Sequence, residues 1–293
     1  SGEAGTSGFA VWSGSTWTGY DGGMLPGDAT IAAMTVNAAG DLTVGGRFDR
    51  MGTGINDDTN VATWDASTQT WVPLGEGAWN ASSNVPVYEL TSRDDTVIAG
   101  GNFTQAGTVT TTGIASWDGS SWSALVGWLS VDCGAGAFVV SQALTYDSAH
   151  DLLYVGGNFC QAGASTVNLI AGWDFGIGDW ITFVDDTGTV GLATGGRVQA
   201  FALDGSSIYV GGTFTDAGGL AHADNIARWT WNPPDGTNSL VGASGEVVTL
   251  TGSQFIGVPA TGGVFFGGVP SPSYVRDDTT SFSNGVIPGG LSG

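Results

Sequence analysis

Pairs of adjacent glycines recur along this chain at a nearly constant interval. Gly45-Gly46, Gly100-Gly101, Gly156-Gly157 and Gly211-Gly212 lie 55, 56 and 55 residues apart. Each pair closes a short strand-like run: Leu42-Thr43-Val44, Val97-Ile98-Ala99, Leu153-Tyr154-Val155 and Ile208-Tyr209-Val210. Each is followed by a phenylalanine, at Phe48, Phe103, Phe159 or Phe214. A fixed period of this size means one supersecondary unit copied along the chain, because such a unit cannot bury its apolar face alone.

The units can be read strand by strand. In the fourth, Val198 to Leu203 alternates as a strand, Asp204-Gly205-Ser206-Ser207 turns, and Ile208-Tyr209-Val210 runs to the glycines. A loop opening at Thr213-Phe214 leads to a third strand, Asn225 to Trp229. The second unit completes the pattern with Ile114 to Trp117, the turn Asp118-Gly119-Ser120-Ser121, and Trp122 to Leu125. Asp-Gly between apolar runs is a strong hairpin signal. Each unit is therefore a four-stranded antiparallel meander, and meanders repeated at this interval are the blades of a β-propeller. The eight glycines are expected where blades converge or a strand end bends, because a Cβ has no room or φ is positive there. Trp12, Trp64, Trp117, Trp173 and Trp229 form one column at the end of the third strand. Trp17, Trp71, Trp122 and Trp180 form a second at the start of the fourth. Both columns read as core between neighbouring sheets. Trp79, Trp128 and Trp231 fall off the pattern and are the better candidates for stacking on a ligand.

An apolar run, Gly-Gly and then Trp-Asp-Gly-x-x-Trp resembles the kelch class of propeller repeats. Gly100-Gly101-Asn102-Phe103-Thr104 followed by Ile114-Ala115-Ser116-Trp117-Asp118-Gly119-Ser120-Ser121-Trp122-Ser123-Ala124-Leu125 is similar to repeats of the fungal cortical polarity-marker type and its relatives in large secreted surface proteins. This resemblance covers roughly residues 9–235 and implies a fold more than an activity. Blades are expected near 29–75, 86–126, 138–184 and 197–233, with a partial one near 9–20. The partial unit, Phe9 to Trp17, matches only third and fourth strands, while the last unit runs into Pro233-Pro234 in place of a fourth strand. The simplest closure sets the N-terminal hairpin beside the last blade. A longer precursor with more blades and a neighbouring subunit that supplies the missing strands are the alternatives. Beyond residue 235 the pattern changes. Glu246 to Phe255, Val264 to Pro270 and Thr279 to Pro288 resemble strands of the IPT/TIG family of immunoglobulin-like domains. A β-sandwich over 236–293 without its usual last strand is the implied second domain. Truncation explains the gap, and so does a strand donated by a partner.

All six basic residues are arginine, no lysine occurs, and the formal charge is −21. Such a chain lacks the cationic footprint that nucleic acid or an anionic membrane requires, and lysine chemistry is excluded. The acid reads as a solvated coat, with calcium sites as the sharper reading. The acidic pairs Asp57-Asp58, Asp94-Asp95, Asp185-Asp186 and Asp277-Asp278 lie in expected loops without EF-hand spacing. Cys133 and Cys160 fall in one blade, where they read either as a disulfide of an oxidising compartment or as buried thiols. Asn80-Ala81-Ser82 and Asn102-Phe103-Thr104 are glycosylation sequons, with Asn80 in a connector the better acceptor. No segment is long and apolar enough to span a membrane. The chain does not begin with Met, which suggests an N-terminal segment that was removed or lies outside this sequence.

The motifs of catalysis are not legible. His150 and His222 sit in separate turns without a partner at ligand spacing. Most aspartates occupy turn slots, as Asp65, Asp118 and Asp174 do, and no nucleophile–base motif stands out. Copper-radical galactose oxidases also join a kelch propeller to an immunoglobulin-like domain. They use two histidines, one from the C-terminal domain, and a tyrosine cross-linked to cysteine. Residues 237–293 contain no histidine. The expectation is a non-catalytic extracellular structural or adhesive protein that associates with itself, without cofactor, as a subunit of a surface filament. A secreted glycan-binding module and an enzyme with a dispersed site are the other readings.

Overall fold

The computed structural model describes residues 10–19, 30–48, 51, 60–79, 86–125, 127, 129–130, 140–184, 190–192, 195–205, 207–215, 217 and 223–230, together with strand segments at 247–251, 265–266, 269–270, 275–276 and 281–286. The chain is all-β, with no α-helix among these residues. Three four-stranded antiparallel meanders are present. Blade 1 comprises Thr30–Val36, Leu42–Arg47, Val61–Asp65 and Thr70–Pro73. Blade 2 comprises Val87–Arg93, Thr96–Gly101, Ile114–Trp117 and Trp122–Ser123. Blade 3 comprises Val140–Asp147, Leu152–Asn158, Ile170–Asp174 and Asp179–Ile181. Blade 4 has three described strands, Val198–Asp204, Ser207–Gly212 and Ile226–Thr230.

Neighbouring sheets pack face to face, first strand against first strand, in a propeller-like series. The core sits between blades. One apolar cluster joins Val61 and Leu74 of blade 1 to Val87, Leu90 and Phe103 of blade 2. A second joins Ile98 and Ile114 to Leu144, Val155 and Phe159. A third joins Leu152, Tyr154 and Ile170 to Val198, Val210 and Phe214.

The two glycines of each doublet have different reasons to lack a side chain. In blades 1, 2 and 3 the first faces the next blade. A Cβ on Gly45 would lie 2.7 Å from Val87, one on Gly100 2.7 Å from Ser141 Oγ, and one on Gly156 2.6 Å from the Phe201 ring. The second faces its own blade. A Cβ on Gly46, Gly101 or Gly212 would run into the backbone carbonyl of Thr30, Pro86 or Arg197. There the first strand bulges, between Ile31 and Ala33, Val87 and Glu89, Ser141 and Ala143, and Val198 and Ala200. Space, rather than φ, is what excludes a side chain, since no doublet glycine is among the positive-φ residues. Positive φ falls elsewhere, on the residue before each third strand: Asn60, Gly113, Leu169 and Asn225. Their carbonyls accept the N–H of the second glycine at 2.9, 3.0, 3.0 and 2.9 Å.

Two stretches differ from the sequence reading. The connection between second and third strands, read as a loop, is a hairpin in blades 2 and 3: Gln105–Ala106 with Val109–Thr110, and Gln161–Ala162 with Ser165–Thr166. Each hairpin gains a third strand from the connector that arrives from the preceding blade, Ala78–Trp79 or Leu129–Ser130. Strands this short were invisible to a pattern search. The N-terminal hairpin, Val11–Trp12 with Thr18–Trp17, pairs with no other described strand. Its Trp12 and Trp17 are 51% and 57% exposed, so the core expectation does not extend to them. Their equivalents Trp71, Trp122, Trp173 and Trp180 are buried, and Trp64, Trp117 and Trp229 are half-buried. The difference is cover: Trp122 Nε1 donates to the Leu74 carbonyl of the preceding blade at 2.7 Å, and Trp180 Nε1 to the Gly127 carbonyl at 2.8 Å.

In the C-terminal stretch, Val247–Thr251 pairs antiparallel with Ser281–Val286, which pairs with Val275–Arg276, while Phe265–Phe266 pairs with Val269–Pro270.

Candidate functional site

Polar and charged groups gather in the turns between first and second strands, where three neighbouring blades are tied in series. Between blades 1 and 2, Asp95 Oδ1 accepts the Ala39 N–H at 2.9 Å, the Asp94 carbonyl accepts the Ala38 N–H at 3.0 Å, and the Ser92 hydroxyl donates to the Val36 carbonyl at 3.0 Å. The acidic pair Asp94-Asp95 thus caps a neighbouring turn. Between blades 2 and 3, Arg93 grips Asp151 with two parallel bonds, Nε to Oδ1 at 2.7 Å and Nη2 to Oδ2 at 2.9 Å. Fork geometry of this kind adds direction to charge attraction. The Tyr146 hydroxyl donates to the same Oδ1 at 2.7 Å. The Phe175 ring lies 4.4 Å from the guanidinium carbon and meets Tyr146 edge-on at 5.9 Å.

The electrostatics follow from this geometry. Arg93 holds the Asp151 carboxyl below its usual range, and Asp151 raises the guanidinium in return. Burial, helped by the bond to Asp151, pushes the Tyr146 phenol up. The pair's side chains are 34% and 40% exposed, so water screens the attraction and the clasp contributes on the order of 1 kcal/mol. Cation, carboxylate and phenol satisfy one another, an arrangement suited to coupling blades.

The remaining sequence candidates are dispersed. His150 Nδ1 lies 2.6 Å from Asp147 Oδ2 within one turn, and Asp147 Oδ1 accepts the Ala149 N–H at 2.9 Å. No group of three or more His, Cys, Asp or Glu side chains converges among the described residues. The aspartates that follow the column tryptophans cap their own turns. Asp65 is held at about 2, first by the Ser67 hydroxyl, and Asp118 at about 2, first by the Ser121 N–H. Asp174 Oδ1 accepts the Gly176 N–H at 2.8 Å in the same way. Asn102 is half-buried beside the blade 2 doublet, its N–H donating to the Pro86 carbonyl at 3.3 Å. Cys160 is 9% exposed, and its N–H donates to the Ser130 carbonyl at 2.9 Å. Trp79 lies on the short strand that pairs with Gln105. Cys133, Asn80, His222, Trp128, Trp231, Asp57-Asp58, Asp185-Asp186, Asp277-Asp278 and the boundary near 235 lie outside the described residues.

Sequence reasoning missed two features. Glu89 sits at the blade 2 bulge opposite Gly100, where the other blades have Ala33, Ala143 and Ala200. Burial pushes its carboxyl up, opposed by the Leu90 N–H that it accepts at 3.2 Å. Aligning the first strands on the glycines would have isolated this one acidic residue in a column of alanines. The second feature is the surface at the two ends of the blade series. Met34 and Val36 on blade 1 are each 57% exposed, and Ile226 on blade 4 is 66% exposed.

No protein-family model matches the chain, and no curated protein matches it. Among solved structures, the computationally designed Ika4 protein is 15% identical over 71% of this chain and 96% of its own, with a TM-score of 0.39. The extracellular domain of the putative hybrid two-component system BT4673 from B. thetaiotaomicron is 11% identical over 89% of this chain, which covers 27% of that chain, with a TM-score of 0.40. The Cps50 (Swd1) beta-propeller domain of Myceliophteria thermophila is 12% identical over 91% of this chain and 75% of its own, with a TM-score of 0.39. Likenesses this distant carry no argument, and the fold rests on the blade geometry itself.

Proposed function

We propose that this chain is a non-catalytic extracellular structural protein, a β-propeller of kelch-like repeats that associates with itself as part of a surface assembly. The observation that carries the reading is where the strongest polar interactions lie. Arg93, Asp151, Tyr146, Asp94 and Asp95 join one blade to the next. The acidic, lysine-free composition and the sequons at Asn80 and Asn102 support export. A disulfide between Cys133 and Cys160 belongs to the same proposal. The bond from the Cys160 N–H to the Ser130 carbonyl supports this pairing, since Ser130 lies close before Cys133 in the sequence. Residues 236–293 are assigned to an IPT/TIG-like sandwich, supported by the antiparallel pairing of Val247–Thr251 with Ser281–Val286.

A second reading, glycan binding, is favoured by the Trp12–Trp17 pair, whose exposed rings lie 5.3 Å apart. Aromatic faces of this kind can stack on sugar rings. Electron microscopy of native material, with non-reducing peptide mapping of the same sample, tests both readings. Ordered assemblies and a Cys133–Cys160 peptide are expected. Isolated particles that bind glycans through Trp12 would replace the first reading with the second.

A further inference from the structure

We infer that blade 4 of one molecule docks on blade 1 of a second copy, repeating between molecules the junction that joins blades within the chain. The inference rests on the self-association proposed above and names the surfaces that perform it. Inside the chain this junction occurs three times with the same parts. The first glycine of each doublet, with the residue paired to it on the third strand, meets two positions on the next blade's first strand. Gly45 pairs with Val61 and meets Val87 and Leu90. Gly100 pairs with Ile114 and meets Ser141 and Leu144. Gly156 pairs with Ile170 and meets Val198 and Phe201. Val61, Ile114 and Ile170 are 0%, 1% and 3% exposed.

Each end of the series carries one half of a fourth such junction. On blade 4, Gly211 pairs with Ile226. Among the described residues, a Cβ on Gly211 would come within 4 Å only of Ala200, in its own blade. Ile226 stands 66% exposed where its three counterparts are covered. On blade 1, the pairing of Ile31 with Gly46 and of Met34 with Val44 places these two residues where Val87 and Leu90 sit in blade 2. Met34 is 57% exposed, against 4% for Leu90. One end thus offers a slot without side chain beside an isoleucine, and the other offers the exposed Met34 beside Ile31, which is half-buried against its own blade. Burying exposed apolar surface of this kind drives association. Because the two faces are different and open at once, the contact is head-to-tail and propagates.

Two substitutions on open ground test the contact, with the full chain in sedimentation velocity from about 1 to about 100 µM, a range that spans ordinary self-association. Met34→Glu spoils the blade 1 face and Gly211→Val fills the blade 4 slot. The wild-type chain is expected to form a concentration-dependent series of oligomers, and each variant alone to stay monomeric. Mixed in equal amounts, the variants are expected to form dimers that grow no further, since each retains one intact face. That recovery also shows that both are folded. Assembly that persists in either variant, or variants that stay monomeric when mixed while the wild-type chain assembles, would overturn this interface and leave self-association standing. A wild-type chain monomeric throughout the range, as ring closure within one chain would give, would overturn both.

Discussion

Gly100 and Gly211 hold the same place in the repeat and have opposite surroundings. Gly100 is pressed against Ser141 and Leu144 of blade 3, whereas among the described residues Gly211 has only Ala200 of its own sheet within reach. Likewise Ile114 is buried and Ile226 exposed, although each sits opposite the corresponding glycine in the strand register. A repeat unit carries both halves of its junction in its own residues. Whether a half is used depends on what lies next to it. The comparison separates features that serve a blade internally from those that serve its neighbour.

The largest expected effect breaks the comparison if it is misdrawn. Gly100→Val puts a branched side chain where even a Cβ would lie 2.7 Å from Ser141 Oγ and 3.0 Å from Leu144 Cδ1. Overpacking of this kind is expected to cost about 3 kcal/mol. Gly211→Val, in dilute protein, is expected to change stability by less than about 0.5 kcal/mol. Equal losses in thermal unfolding would mean that the blade 4 face is covered.

The tryptophans give a second, smaller contrast. Trp122→Phe removes the bond to the Leu74 carbonyl at a buried site. A loss of about 1 kcal/mol is expected, because one buried hydrogen bond disappears while the carbonyl keeps the Gly77 N–H. Trp17→Phe, on the exposed hairpin, is expected to stay within about 0.5 kcal/mol in the same denaturant titration. A large loss at Trp17 would show that the hairpin is held in place by more than its own two strands.

The smallest effect concerns Glu89. Burial raises its folded-state pKa above the unfolded value, so the folded protein binds that proton more tightly. The resulting stability is present below the unfolded value and is lost as pH rises through the folded one. At pH 7 the carboxylate is therefore a net cost. Glu89→Gln is expected to raise the melting temperature by about 2 °C at pH 7, with the gap closing in acid below the ordinary glutamate range. A gap that is constant across pH would assign the effect to something other than ionisation. Asp151 acts with the opposite sign: its lowered pKa gives stability that is lost as pH falls through the folded value.

Much of the blade was legible because local chemistry dictates it. The period, the Asp-Gly turn at Asp118 and the strand from Ile114 to Trp117 could be read from residue order alone. The left-handed position before each third strand was not, because its residue varies: Asn60 and Asn225 are asparagines, but Gly113 and Leu169 stand at the same place in the other two blades. Leu169 adopts φ 64° only because its carbonyl bonds Gly157 and its N–H bonds Phe159. The hairpins at Gln105 and Gln161 escaped notice for a similar reason. Two-residue strands carry no periodicity, and they form because a connector from another blade completes their hydrogen bonding. The clasp from Arg93 to Asp151 escaped because its partners lie 58 residues apart, joined only when two turns meet.

The sequence by itself determined an all-β chain of repeated antiparallel meanders, since strand alternation, turn residues and the glycine doublets act over a few neighbouring residues. Only the tertiary structure decided which glycine faces the next blade and which faces its own, and which repeat tryptophans are covered. It also decided that Ile226 and Met34 stand open while their counterparts are buried. The physical reason is that burial belongs to pairs of surfaces. A residue's own identity fixes what it can bury, and the packing of separate blades fixes what covers it.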